Sequence, residues 1–299
     1  MIETYDVIII GGSIAGLSAA LILGRALKKV LVIDDNAPCF IHSKRTHGFI
    51  TNDGENPSQI VAKAKVEIGK YKTIELQNGL VISAEKFGNE FIISLEDFQS
   101  FHSLKLLLAT GVHDKFPPIP GFSECWGKTI LHCPYCQGYE IRNQQIGFIG
   151  NGDYAIERIS LLSGWTKRIM LFTNGPCTLS NTQMRLLRDR NISVFENDIV
   201  CIFHSDGMIE YLKLKDGESY TLSAIFTKVD FDPMHLPISL KCKLTDSNYI
   251  EIDEYGKTSV IGVYAAGDCT SSFRTVASAS AAGLKAGIAL NQELIFKYF

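Results

Sequence analysis

The sequence has no apolar run near the roughly 20 residues that a membrane-spanning helix needs. It has no charge bias either: 29 Lys and Arg against 32 Asp and Glu leave a net charge of -3. Such a balance gives neither nucleic acid nor an anionic membrane surface a reason to bind. The stretch Met1 to Asp6 carries none of the basic residues that open a secretory leader, so the expected location is the cytoplasm. There is also no second Cys-x-x-Cys pair. A structural zinc needs four ligands, normally from two such pairs or one pair plus histidines, so the pair present does not read as a zinc site.

What is present is a chain of 299 residues, 46% hydrophobic and 20% charged, long enough for two domains with their own cores. Six of its cysteines stand alone: Cys39, Cys125, Cys177, Cys201, Cys242 and Cys269. A chain this rich in core residues does not need staples, so each reads as a small packed hydrophobe. Cys133 and Cys136 are the exception, spaced as a pair.

Asp6-Val7-Ile8-Ile9-Ile10 is a short, uniformly apolar run that reads as a strand buried on both faces, as in a parallel sheet. Gly11-Gly12-Ser13-Ile14-Ala15-Gly16 follows, then a helical stretch over 17–27 and a second buried strand over 29–33 that ends in Asp34. Gly11 permits a tight turn, and Gly16 lets the helix pack against the strand. The helix N-terminus offers N–H groups to a pyrophosphate, and Asp34 can accept from ribose hydroxyls. Ser13 stands where the usual motif has its middle glycine. This unit predicts a bound dinucleotide.

Distant segments point to FAD. Residues 258–268 read as a strand running into Gly267-Asp268, with an Ala-, Ser- and Gly-rich helix after it over about 274–290. In two-domain flavoproteins such an Asp holds the ribityl chain, and the helix start faces the flavin phosphates. Ala109-Thr110-Gly111 is the usual companion, where a strand closes the first half of the FAD domain.

A second unit of the same kind begins at residue 145. A short strand leads into Gly150-Asn151-Gly152-Asp153-Tyr154-Ala155, a helix runs to about Leu162, and the next strand spans 168–173. Thr173 lies 23 residues after Gly150, the offset that separates Asp34 from Gly11. An acidic residue there would favour NAD, and an Arg cluster just beyond would favour NADP. Thr173-Asn174-Gly175-Pro176 supplies neither, although Arg185, Arg188 and Arg190 on the next helix could reach over. The expected ligand is NADPH or NADH.

The paired cysteines read as a redox dithiol, since two intervening residues let the sulfurs close a small ring. If the pair starts a helix, the dipole stabilises a thiolate. Proton transfer must accompany the exchange. His132 either carries that proton or merely shields the pair. Glu140, four residues past Cys136, would share its face in a helix. Tyr135 and Tyr139 could stack near a flavin or simply pack.

Together these segments resemble the low-molecular-weight thioredoxin reductase family of flavoproteins, over essentially the whole chain. His132-Cys-Pro-Tyr-Cys-Gln-Gly-Tyr-Glu140 is most similar to a branch that also holds fungal dithiol oxidases. The resemblance implies an α/β protein of two Rossmann-like, three-layer domains. The FAD domain spans 1–112 and 242–299, and a nucleotide domain carrying the dithiol is inserted at 113–241. It implies that NADPH reduces FAD and that FAD reduces the disulfide, with Cys136 forming a thiolate–flavin charge-transfer contact and Cys133 attacking the substrate. That substrate would be a thioredoxin-like protein or a small disulfide, and the assembly a homodimer. Arg274-Thr275-Val276 is the family's tripeptide beside the isoalloxazine, and His47 and Val81 join the expected cofactor contacts. Two residues depart from the pattern. Gln137 stands where well-known members have an acidic Asp, leaving His132 or Glu140 to move the proton. Thr173 is not followed by the basic run that holds the NADPH phosphate. Some relatives without these residues draw electrons from ferredoxin, and others run in reverse as oxidases. A non-catalytic flavin redox sensor is a further alternative.

Overall fold

An apolar, β-branched strand with no polar alternation has to be covered on both faces. In the computed structural model, which describes residues 4–39, 43–232 and 234–296, Val7, Ile8 and Ile9 of strand Thr4–Ile10 are 0% exposed. Burying each contributes about 1.5–3 kcal/mol relative to exposure. Contacts divide the chain into two units. The first comprises Met1–Ile41, Glu55–His113 and Phe231–Phe299; the second comprises His42–Gly54 and Asp114–Asp230.

In the first unit, strand Thr4–Ile10 lies between Val30–Asp34 and Ser100–Leu108, parallel to both, and Ile74–Asn78 extends the sheet beyond Val30–Asp34. On its other edge the long strand Ser100–Leu108 serves two further partners. Its first half pairs antiparallel with Glu90–Leu95, which continues to Val81–Phe87. Its second half takes Val263–Ala265 in parallel. The expected strand over 258–265 is thus reduced to three residues. Gly262 adopts φ +88, and the Val263 N–H bonds back to the Val260 carbonyl, so the chain turns just before the strand. Helices Ile14–Arg25 and Val276–Phe296 cover one face with Ala19, Ala20, Leu23, Ala286 and Leu290.

The second unit is built on five parallel strands in the order Ser193–Phe195, Ile169–Phe172, Ile146–Ile149, Ala224–Thr227, Ile130–Leu131. Helices Gly152–Leu162 and Asn181–Asp189 lie in the crossovers, the first fastened by Ala155, Ile159 and Leu162. A three-stranded antiparallel meander, Ile199–Ser205, Met208–Leu214 and Ser219–Thr221, forms a separate core with Phe122, Trp126 and Phe172.

Candidate active site

The first glycine turn is tight because two of its residues leave no room for a side chain. Gly11 has φ +107, and a Cβ there would sit 2.2 Å from the Ala109 carbonyl oxygen. A Cβ on Gly16 would lie 2.0 Å from the Gly11 oxygen. Ser13 takes the N-cap position of helix Ile14–Arg25 without a side-chain cap, and the first turn has no acidic residue. That end of the helix is left as an uncompensated positive dipole. Asp34 is fixed beside it: Oδ1 accepts from the Gly12 N–H at 3.1 Å, and Oδ2 pairs with Lys65 Nζ at 3.0 Å. Lys65 comes from helix Pro57–Ile68, capped by Asn56. It had no signature in sequence, where a lysine on a polar helix face is commonplace.

Helix Val276–Phe296 packs on the first helix through its small residues. A Cβ on Gly283 would meet the Ala15 oxygen at 2.0 Å, and one on Gly287 would meet the Ala19 oxygen at 3.0 Å. Both contacts advance by four residues along each chain, so the helices run parallel. The longer helix therefore starts about six residues earlier, roughly 9 Å beyond the glycine turn. Thr275 Oγ1 accepts from the Ser278 N–H there. Asp268 lies 3.6 Å from Arg274 Nε and accepts from Cys39 Sγ at 3.8 Å. Ala109 is buried, Gly111 and Gly267 adopt left-handed φ, and Val81 is buried in the core with Ala84 and Leu95. Close backbone approach, two helix N-termini at one end and two anchored carboxylates fit the pyrophosphate and hydroxyl groups of FAD.

In the second unit, the dithiol opens a single helical turn. Cys133 is the N-cap of Pro134–Gln137, Pro134 occupies its first position, and the Gly138 N–H closes it on the Pro134 oxygen at 2.7 Å. A Cβ on Gly138 would lie 2.9 Å from the Trp165 ring, so the turn is seated directly on indole, with Tyr135 edge-on to the same ring. The expectation that Glu140 shares a helix face with Cys136 does not hold, because the helix ends at Gln137 and residues 139–142 are turns. Tyr135 and Tyr139 are largely exposed, and Tyr139 carries Arg142 over its ring at 4.1 Å. His132 stacks on Trp126 at 5.8 Å.

The two thiols are driven apart in acidity. The hydrogen bond that Cys136 donates holds Cys133 down to about 7, helped by the N–H groups of Cys136 and Tyr135 and the charge of Arg158. That same hydrogen bond, with burial, pushes Cys136 well above the ordinary thiol range. Cys133 is therefore the thiolate and Cys136 the protonated partner. Alkylation of the reduced protein is expected to rise with pH through an inflection at about 7 and then level off. Cys136→Ala should move the inflection up toward the ordinary 9, and a wild-type inflection already at 9 would refute the assignment. Among the single cysteines, Cys125, Cys242 and Cys269 are buried, with thiols pushed up by desolvation. Cys39 is exposed, and Cys177 and Cys201 are half-buried, so packing does not account for those three.

His47 was expected among the cofactor contacts. The structure turns both of its ring nitrogens to carboxylates: Nδ1 to Asp53 at 3.4 Å and Nε2 to Glu140 at 3.5 Å. Neither Asp53 nor this pairing was foreseen, since residues 47 and 140 are far apart in sequence and no local spacing links them.

The second glycine turn is stitched to its neighbour loop by Asn151. Its Oδ1 accepts from the N–H groups of Gly152 and Thr178, each at 2.9 Å, and its Nδ2 donates to the Pro176 oxygen. Asp153 accepts from Gln183 at 2.6 Å, and Ala155 is buried against the strand. Tyr154 lies under the Arg158 guanidinium at 5.2 Å and Lys228 at 5.9 Å. Thr173 is buried, and its hydroxyl donates to the Gly175 oxygen at 2.6 Å. The position that would report on a ribose is turned inward. Arg185, Arg188 and Arg190 are all exposed.

The model of the pyridine nucleotide-disulphide oxidoreductase family matches residues 5–283. The chain belongs to that family. As a pyridine nucleotide-disulphide oxidoreductase it is 30% identical to a thioredoxin reductase of Claviceps purpurea, over 97% of this chain and 94% of the relative. It is 28% identical to one of Aspergillus oryzae, over 98% and 97%. A protein of Bacillus anthracis assigned as a thioredoxin reductase superimposes with a TM-score of 0.94 at 30% identity, covering 99% of this chain and all of that one. An oxidoreductase of Agrobacterium tumefaciens gives 0.91 at 34% identity, covering 98% and 99%. This oxidoreductase is a flavin-dependent disulfide enzyme of thioredoxin reductase type, from a family that uses FAD and NADPH. Among the described residues no helix is long and apolar enough to cross a membrane.

Proposed function

We propose that the enzyme passes electrons from NADPH through FAD to the Cys133/Cys136 pair, and from the pair to the disulfide of a thioredoxin-like protein or small molecule. The observation that carries this reading is the setting of the pair: Cys133 is the N-cap of the Pro134–Gln137 turn and accepts a hydrogen bond from Cys136, which favours one sulfur as thiolate and the other as thiol. FAD, when bound, supplies the two-electron transfer that returns the pair to its reduced form. Gly11, Ser13, Ile14, Ala15 and Gly16 would seat its pyrophosphate, Asp34 with Lys65 its ribose, and Ala109, Thr110, Gly111, Gly267, Asp268, Arg274, Thr275 and Val276 the remainder. Gly150, Gly152, Asp153, Tyr154 and Ala155 would receive the nicotinamide dinucleotide.

The dithiol half-reaction needs only this chain's two sulfurs and the substrate disulfide. Cys133 thiolate attacks one sulfur of the substrate disulfide, forming a mixed disulfide and releasing one thiolate. Cys136 then loses its proton and attacks Cys133 sulfur, releasing the second thiolate. The pair is left oxidised; the proton lost by Cys136 goes to one released thiolate, and water supplies the proton for the other.

Anaerobic mixing with NADPH or NADH is expected to bleach the flavin band. Because Thr173 presents neither a carboxylate nor a cation, the two nucleotides should differ by less than about tenfold in kcat/KM, under ~1.4 kcal/mol. Bleaching by neither would remove the nicotinamide step, and reduced ferredoxin would be the next donor to try.

A further inference from the structure

We propose that the cleft between the end of helix Val276–Phe296 and strand Ser100–Leu108 is a binding site for a small organic dianion, a phosphate-type head carried on an apolar body. The cleft lies within the first unit and holds about 780 Å³, the size of a small-molecule site. It is remote from the glycine turn. Helix Val276–Phe296 starts just beyond that turn, and Glu293, which lines the cleft, lies 17 residues further along, about 26 Å away. The electron path proposed above uses none of its residues.

Charge selects the ligand. Lys86, Lys105 and Lys257 line the cleft, and among the described residues Glu293 is the only acid that does. Three ammonium groups against one carboxylate leave a local charge of +2, in a chain whose net charge is -3. Glu293 is spent internally: Oε1 accepts from the Lys105 ammonium, and Oε2 from the Tyr264 hydroxyl. Burial works against its charge, but the bonds from Lys105 and Tyr264 outweigh it and hold the carboxyl below its ordinary range. The other two ammonium groups have no hydrogen-bonded carboxylate among the described residues. Lys257 Nζ stays 3.7 Å from Glu293, and Lys86 Nζ donates to the neutral Ile261 carbonyl at 2.9 Å. An anionic head between like charges that share a cleft relieves their repulsion. The walls ask for the other half of the ligand. Phe91 is buried, with Lys86 Nζ 5.8 Å over its ring. At the rim, Ile261 at 80% and Phe296 at 68% exposure leave large apolar surfaces in water, which an apolar body would cover. A head alone leaves that rim wet, and a neutral body leaves the lysines without a counter-charge.

The test is calorimetric titration of the FAD-loaded protein with 2-naphthyl phosphate. Excess NADP⁺ is kept in the cell so that phosphate binding at the second glycine turn does not register. One saturable site per chain is expected, with Kd below about 1 mM. Inorganic phosphate and 2-naphthol, the head and the body apart, should each bind about tenfold more weakly or worse. Lys86→Gln and Lys257→Gln should each weaken binding by about tenfold. Lys63→Gln, the same change on helix Pro57–Ile68 outside the cleft, should alter it by less than about twofold. If Lys86→Gln loses its flavin or its thermal transition, Lys257→Gln decides alone, because that side chain is half exposed and its ammonium makes no hydrogen bond among the described residues. The absence of saturable binding, as when a second copy of the chain covers the cleft, overturns the proposal. So does equal affinity for 2-naphthol, or binding that neither cleft variant weakens by more than about twofold. The titration involves no dithiol and no electron transfer, so an error about the reaction does not touch it.

Discussion

Cys136→Ser is expected to lose disulfide turnover by roughly 10⁴-fold or more while still becoming covalently joined to its substrate through Cys133. The reason is the order of events. Cys133 is the half-buried N-cap sulfur, held toward the thiolate by the side-chain hydrogen bond from position 136, which a Ser hydroxyl can still donate, and by the N–H groups of Cys136 and Tyr135. The second sulfur is needed only to release what the first has captured. The variant should therefore liberate one thiolate per chain, gain the mass of half the substrate, and return to its starting mass when dithiothreitol is added. Cys133→Ser should lose capture as well. NADPH-dependent reduction of a dye at the flavin should survive both changes, because that electron path ends before the dithiol. Turnover that persists in Cys136→Ser, with no trapped species, would mean that the pair is not the terminal carrier.

Gly11→Ala is expected to give a protein that purifies with less than about a tenth of the wild-type flavin. The new methyl group would enter at 2.2 Å from the Ala109 oxygen, a backbone atom with no rotamer to escape into. The left-handed φ of +107 adds strain of its own. Together these cost roughly 2–5 kcal/mol, from about 1–2 for conformation and 1–3 for overpacking. The structure relieves that cost by opening the turn, which separates the Gly12 N–H from Asp34 and withdraws the helix end from any phosphate. Gly88→Ala is the control, since φ there is also positive at +60 but nothing lies within 4 Å of its Cβ. It should stay yellow. The ratio of flavin to protein absorbance after gel filtration, with the thermal midpoint alongside, decides the matter. An unchanged ratio in Gly11→Ala would show that the turn is not the FAD seat.

Several elements could be read directly from the residues because one physical rule dominates each. Strands Thr4–Ile10, Val30–Asp34 and Ile169–Phe172 are apolar on both faces and cannot be anything but buried. The helix expected to end at about Leu162 does so, and the one expected from about 274 begins at Val276, though it runs on to Phe296. The expected helix over 17–27 starts at Ile14 because Ser13 takes the N-cap, and it stops at Arg25. What could not be read depends on long-range approach. Lys65 reaches Asp34 across 31 residues, and His47 reaches Glu140 across a gap in sequence that no periodicity marks. Thr173 could be seen to lack charge, but not that its hydroxyl is consumed by the Gly175 carbonyl. That the helix at the dithiol is a single turn could not be read either, since nothing local to Gly138 announces the indole of Trp165 beside it.

The parallel pairing of the first and last helices has a consequence for how the protein is made. Strand Val263–Ala265 and helix Val276–Phe296 complete the first unit, yet they are translated after everything else in it. The second unit's segments are all present by residue 230. On a ribosome the inserted unit can close its core while Ala15 and Ala19 still wait, uncovered, for Gly283 and Gly287. Domain-by-domain folding from the N-terminus onward cannot be completed here for the first unit before the second has been synthesised. The earliest residues to be synthesised are covered by some of the last.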